Sequence, residues 1–392
     1  MRRSLPVFAL FLVALALGAC RLWAPAPGAL GAEVPVPATQ PPASPLPEAT
    51  FTAAPTATTA PTLAPSPTPG PPPRLTGSYP IAGDTLVQAG FPLTLEFDRP
   101  LDRASLEAGL TISPSVAGAL EWPADGTIVF RPEGGWTEPA YEVSLTGVRS
   151  LDGASLEEPL TLLFGTGGRG IPVPALMYHH VADLPDDATE TQRNWTVSPA
   201  AFAEQLHYLA REGWRSISPA QFVAYAEEGH PLPPKPLLIT IDDGNRNIYT
   251  NAYPLIMETA LRPVLFVIPS HMGYGGYFTW EMTKELAEAG MIIGIHTQNH
   301  IALRGQPNEV LQVEIGEAKR EVEGHLGLAV DSFCYPFGSY DENTITVLRA
   351  HGYTTAFTLN GLPFQPADDA FRLNRLLVRY ETTLEEFAAL LP

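Results

Sequence analysis

At 392 residues, with 42 acidic side chains against 23 basic ones and a net charge of −19, the chain repels nucleic acid and anionic lipid surfaces. A neutral polymer is the partner class its electrostatics leave open, and its two cysteines supply no disulfide framework, so any folded part must be held by its own apolar core. Composition changes so sharply along the chain that it must be read in pieces.

Residues 1–20 carry Arg2 and Arg3, an apolar run from Leu5 to Leu17, then the small residues Gly18 and Ala19 before Cys20. This is a secretory-signal layout, and the run falls short of the about 20 apolar residues that cross a bilayer as a helix. Leu17-Gly18-Ala19-Cys20 resembles a bacterial lipobox, which implies that Cys20 is alkylated by diacylglycerol. The expectation is an extracytoplasmic, membrane-anchored lipoprotein at the cell surface, touching the membrane only through its lipid; free secretion is the alternative. Residues 21–73 are dominated by Pro, Ala, Thr and Ser, with too few large apolar side chains to repay ordering, so a disordered stalk is expected.

Residues 74–167 show short apolar or alternating runs, Leu93–Phe97, Thr127–Phe130 and Tyr141–Leu145, separated by turn pairs such as Asp125-Gly126 and Asp152-Gly153. These predict strands packed as a small β-sandwich. Tyr79-Pro80-Ile81-Ala82-Gly83, Phe97–Asp102, Phe130-Arg131-Pro132 and Phe164-Gly165-Thr166-Gly167 resemble bacterial Ig-like domains, which implies a spacer or adhesion module.

Residues 170–392 alternate apolar strands (Ala175–Tyr178, Leu237–Ile241, Val264–Ile268, Met291–Ile295) with helices expected at 199–212, 281–289 and 308–326. Such βα repetition predicts parallel strands closing as a barrel, with chemistry at their C-terminal ends.

Asp242 and Asp243 directly follow a buried-type strand, where paired carboxylates are costly unless a cation neutralises them. Another strand ends in His296-Thr297-Gln298-Asn299-His300, whose imidazoles at i and i+4 converge if the chain turns helically there. Asp243, His296 and His300 would hold a divalent ion, most readily zinc, leaving a position open for catalysis, with Asp242 as general base. Adjacent carboxylates alone usually mark a solvated turn; the histidine pair at a second strand end is what weighs against that reading.

Thr240-Ile241-Asp242-Asp243-Gly244 and His296-Thr297-x-x-His300 resemble the motifs of carbohydrate esterase family 4, the polysaccharide deacetylases. The resemblance implies a distorted (β/α) barrel, metal dependence and hydrolysis of N-acetyl groups on a polysaccharide, with the same roles for Asp242, Asp243, His296 and His300. The family's Arg-x-Pro-Tyr/Phe-Gly appears as Cys334-Tyr335-Pro336-Phe337-Gly338, so its base-orienting arginine is absent; the oxyanion donor maps to the Tyr335 N–H. The C-terminal Leu-x-Ile-His motif, source of the general acid, is missing too. Met177-Tyr178-His179-His180-Val181 looks like the early segment of the poly-N-acetylglucosamine deacetylases, whose motif order is permuted, which assigns His179 as general acid, with His180 as the lesser candidate. Arg375 is the expected replacement for the lost arginine. The remaining histidines, His271 among them, read as surface or packing residues, and Trp280 and Tyr274 as sugar-stacking or core residues. The rival functions are a glycan-binding module without turnover and an envelope adhesin.

Overall fold

The computed structural model describes residues 70–392; the signal segment, Cys20 and nearly all of the expected stalk lie outside the described residues. Seven strands open the described part: β1 (Leu75–Tyr79), β2 (Leu93–Phe97), β3 (Leu110–Ser113), β4 (Gly118–Ala124), β5 (Thr127–Pro132), β6 (Ala140–Leu145) and β7 (Leu160–Gly165). They form two antiparallel sheets, β1-β2-β5-β4 and β3-β6-β7. Alternate residues face inward, Leu93, Leu95, Ile128 and Phe130 from one sheet and Tyr141, Val143, Leu145, Leu162 and Phe164 from the other, into one apolar cluster. Trp136 fills its middle, edge-on to Tyr141 and Phe164 with ring centroids 5.0 Å from each. Gly126 takes φ 103° at the β4–β5 turn, a conformation that disfavours any side chain.

Seven further strands, β8 (Ala175–Tyr178), β9 (Pro236–Ile241), β10 (Val264–Val267), β11 (Ile292–Ile295), β12 (Ser332–Cys334), β13 (Thr355–Phe357) and β14 (Leu376–Leu377), pair in parallel in the order β13-β12-β11-β10-β9-β8-β14. Leu376 pairs with Leu176 of β8, while Leu373 bridges Phe357 of β13, so residues 373–377 close a distorted barrel through an irregular stretch. β9 is buried throughout because its two faces serve different cores: Leu237, Ile239 and Ile241 meet the covering helices, and Leu238 points into the barrel.

The helices start where the sequence caps them. Ser198 accepts from the Ala201 N–H ahead of helix 199–211, and Ser218 with Gln221 forms a capping box before helix 219–228. The helix expected over 308–326 is instead interrupted, with a π-helical turn at Gln312–Glu317 between α-helical Asn308–Leu311 and Ala318–Leu326.

The barrel interior does not stop at the sandwich. Leu238, Val264 and Phe266 share one apolar cluster with Phe222, Tyr225 and Leu232 and with the sandwich core. At this junction the buried Tyr225 hydroxyl donates to Asp84 and accepts from the Ile81 N–H, and Ser78 pairs with Leu232.

Candidate active site

The C-terminal ends of β8, β9, β11 and β12 deliver the chemistry to one cavity of about 400 Å³. Asp242, Asp243, His179, His180, His296, His300, Tyr335 and Arg375, the expected site residues within the described chain, all line it. Trp195, Phe337 and Leu359 complete the lining; the sequence carries no signal for Trp195 or Leu359, and Phe337 enters only as a member of the Cys334–Gly338 motif. Trp280 stacks on His325 at 4.0 Å instead, Tyr274 is exposed, and neither lines the cavity.

Asp243 Oδ1 lies 3.6 Å from His296 Nε2 and 3.5 Å from His300 Nε2. One ligand atom from each residue falls within 4.8 Å of the others, a spacing that suits a shared cation. Asp243 Oδ1 is buried with no hydrogen-bond partner among the described residues, a state that a cation would relieve. His296 Nδ1 donates to the Cys334 carbonyl at 2.8 Å, which turns Nε2 toward Asp243. Burial pushes the pKa of His296 and His300 down, favouring the neutral imidazole that a metal ligand must be.

The histidines do not converge by helical turning. Residues 296–300 are irregular, with Thr297 at φ 61° and His300 at φ 57°, and the Thr297 hydroxyl accepts from the His300 N–H at 2.8 Å. Among the described residues, five non-glycines have positive φ, and Asp243, Thr297, His300 and Phe337 are four of them. Backbone strain of this kind concentrates where a site needs a fixed geometry.

Asp242 is buried beneath this cluster. Arg375, also buried, donates from Nη1 to Asp242 Oδ1 at 2.7 Å and to the Thr240 hydroxyl at 3.2 Å, from Nε to the Thr358 carbonyl at 2.9 Å, and from Nη2 to Cys334 Sγ at 3.0 Å. The small Cys334 side chain leaves the space that the Arg375 guanidinium enters. Burial alone would raise the Asp242 pKa, but the charges of Arg375, His179 and His296 outweigh it and hold the carboxyl well below the usual range. Asp242, His296 and Cys334 are also near enough to hold an ion, but the guanidinium already supplies the cation there.

At the end of the neighbouring strand β8, whose Tyr178 pairs with Ile241, His179 Nε2 stands 3.7 Å from Asp242 Oδ2, with its ring against Trp195 at 4.5 Å. Burial lowers the pKa of both His179 and His180, but their surroundings differ: Asn247 Nδ2 donates to His180 Nδ1 at 3.0 Å. His271, expected as a surface or packing residue, lies against Tyr277 with ring centroids 4.6 Å apart, and burial lowers its pKa.

One expectation is corrected. The Tyr335 N–H donates to the Phe357 carbonyl at 3.1 Å in the β12–β13 ladder, so it is not free for an oxyanion. Two residues on, Phe337 takes φ 59° and lines the cavity, with its ring 4.9 Å from His300.

Residues 229–356 match the polysaccharide deacetylase family model. That stretch holds Asp242, Asp243, His296, His300 and Cys334–Gly338; His179 and Arg375 lie outside it. A putative polysaccharide deacetylase of Bacillus subtilis, YxkH, is 26% identical over 186 residues, covering 47% of this chain and 64% of that protein. A poly-beta-1,6-N-acetyl-D-glucosamine N-deacetylase of Staphylococcus epidermidis is 24% identical over 212 residues, covering 50% of this chain and 73% of that protein. The Streptococcus pyogenes deacetylase PplD superimposes on 57% of this chain and 100% of its own, with a TM-score of 0.54 and 24% identity, a likeness of fold.

Proposed function

We propose that this chain, which carries an enzyme domain of the polysaccharide deacetylase family, hydrolyses N-acetyl groups on poly-N-acetylglucosamine or a related cell-wall or extracellular glycan. The observation that carries the reading is the convergence of Asp243, His296 and His300 beside Asp242, with His179 lining the same cavity 3.7 Å from Asp242. Asp243, His296 and His300 would hold a divalent ion, zinc in our reading, which when bound acidifies water and polarises the acetyl carbonyl.

The protein's own groups then divide the work. Asp242, fixed by Arg375, takes a proton from the attacking water as oxygen adds to the acetyl carbon. With the Tyr335 N–H engaged, the backbone N–H of Phe337, a residue that lines the cavity, is our candidate donor to the carbonyl oxygen as negative charge develops there. His179 protonates the nitrogen as the C–N bond breaks, and its 3.7 Å approach to Asp242 lets the abstracted proton return to the leaving amine. Acetate and a free amino sugar result. Trp195 and Leu359 supply apolar lining beside these polar groups.

We read residues 1–20 as a lipoprotein signal with Cys20 lipidated, 21–73 as a stalk, 74–167 as an Ig-like spacer and 170–392 as the catalytic domain. Together these would display the enzyme outside the cytoplasm, anchored by lipid alone. The test is acetate release from poly-N-acetylglucosamine by wild type and Asp242→Asn. The variant should retain metal yet lose about 10²–10⁴-fold in turnover. Undiminished release would remove Asp242 as the base, and glycan binding without release by the wild type would leave a binding module.

A further inference from the structure

The loop that carries the two histidines has no regular structure of its own, so something else must fix it. The π-helical turn Gln312–Glu317 packs against it and buries the Glu314 side chain. Glu314 Oε2 accepts from the Asn299 N–H at 2.9 Å, Glu314 Oε1 accepts from Asn299 Nδ2 at 2.8 Å, and the Glu314 carbonyl accepts from the Gln298 N–H at 3.1 Å. Two helix turns later, Glu321 Oε2 accepts from Gln298 Nε2 at 2.8 Å. A buried carboxylate with both oxygens occupied by one residue is a geometric clamp, because neither bond can swing without breaking the other.

The clamped residue, Asn299, immediately precedes His300, whose φ of 57° costs energy and would relax if its neighbour were free. The widened turn is what brings Glu314 to the loop, and π-turns inside helices gather at functional sites.

We propose that Glu314 is a positioning residue for the metal centre: through Asn299 it holds His300 in the strained conformation that aims Nε2 at Asp243. This rests on the reading of Asp243, His296 and His300 as metal ligands. Glutamate is required at 314 because a glutamine amide has one acceptor oxygen where two N–H groups of Asn299 need acceptors.

The experiment is zinc affinity by chelator competition on the full chain, for wild type, Glu314→Gln, Asn299→Ala and His300→Ala, with circular dichroism and melting of the metal-free proteins alongside. Both Glu314→Gln and the exposed-site variant Asn299→Ala should bind zinc about 10–100-fold more weakly with folding retained, and raised zinc should restore turnover. If Glu314→Gln unfolds, Asn299→Ala alone decides. Loss of affinity in His300→Ala with wild-type affinity in the clamp variants would overturn the role of Glu314 while leaving the metal site standing. Unchanged affinity in His300→Ala would instead reject the metal site itself.

Discussion

Arg375 and Asp242 are 133 residues apart in sequence, yet Nη1 of one lies 2.7 Å from Oδ1 of the other, with both side chains buried. Asp242 therefore has its own cation, distinct from any ion that Asp243, His296 and His300 would hold.

Removing that cation leaves a carboxylate in the interior. Arg375→Ala should cost about 3–5 kcal/mol at neutral pH, the usual penalty for orphaning one partner of a buried ion pair. The sign with pH follows from the direction of the shift: Asp242 titrates below its unfolded value, so the stabilisation is fully present above about pH 4 and is lost as acid protonates the folded carboxyl. Urea titrations at pH 7 and pH 3 measure it, and a variant equally stable to wild type at pH 7 would contradict the pairing. Any residual activity should show its acidic limb moved to higher pH, since Asp242 would ionise later.

His179 and His180 separate by their neighbours. His179→Ala should lower turnover on the polysaccharide about 10²–10⁴-fold. The same variant should lose far less on an aryl acetate, whose leaving group departs without a proton. His180→Ala should affect both substrates mildly, because His180 Nδ1 is engaged by Asn247. Equal losses at the two positions would reassign the acid.

Chelation should abolish acetate release, and zinc should restore it. Zinc at about 100 times its Kd should also stabilise the fold by about 2.7 kcal/mol, seen as a higher melting temperature. Asp243→Ala should show no such rise; a full rise in that variant would place the ion elsewhere.

Much of this site was legible because strand-end carboxylates and spaced histidines carry their chemistry in residue type. The role expected of Arg375 also had a sequence signal, the cysteine standing where the family motif has arginine, and the guanidinium is found against both Asp242 and Cys334. Other features had none. Trp195 and Leu359 are ordinary apolar residues until the fold turns them to the cavity. The interrupted helix at 312–317 was missed because periodicity does not distinguish a π-turn from an α-turn. The motif alone does not reveal that β13 pairs with β12 and takes the Tyr335 N–H. The left-handed backbone at Thr297 and His300 defeats a helical reading of i, i+4 spacing, since neither residue type announces positive φ.

The sandwich and barrel share a buried polar contact that can be cut without touching the site. Tyr225→Phe removes the donor to Asp84 and the acceptor for the Ile81 N–H, and should cost about 1–3 kcal/mol in thermal or urea unfolding. Deacetylation by the folded fraction should be unchanged. Loss of turnover at full folding would mean that the junction reaches the catalytic end.

The segment that seals the cylinder also brings Arg375, so one stretch of chain supplies both the closure and the partner of Asp242. During vectorial synthesis, β8 to β13 and Asp243, His296 and His300 emerge before this arginine does. Until the final strand docks, Asp242 lacks its permanent counterion and the cylinder stays unsealed. A chain that stopped short of this segment would therefore lack both the counterion of Asp242 and a finished wall.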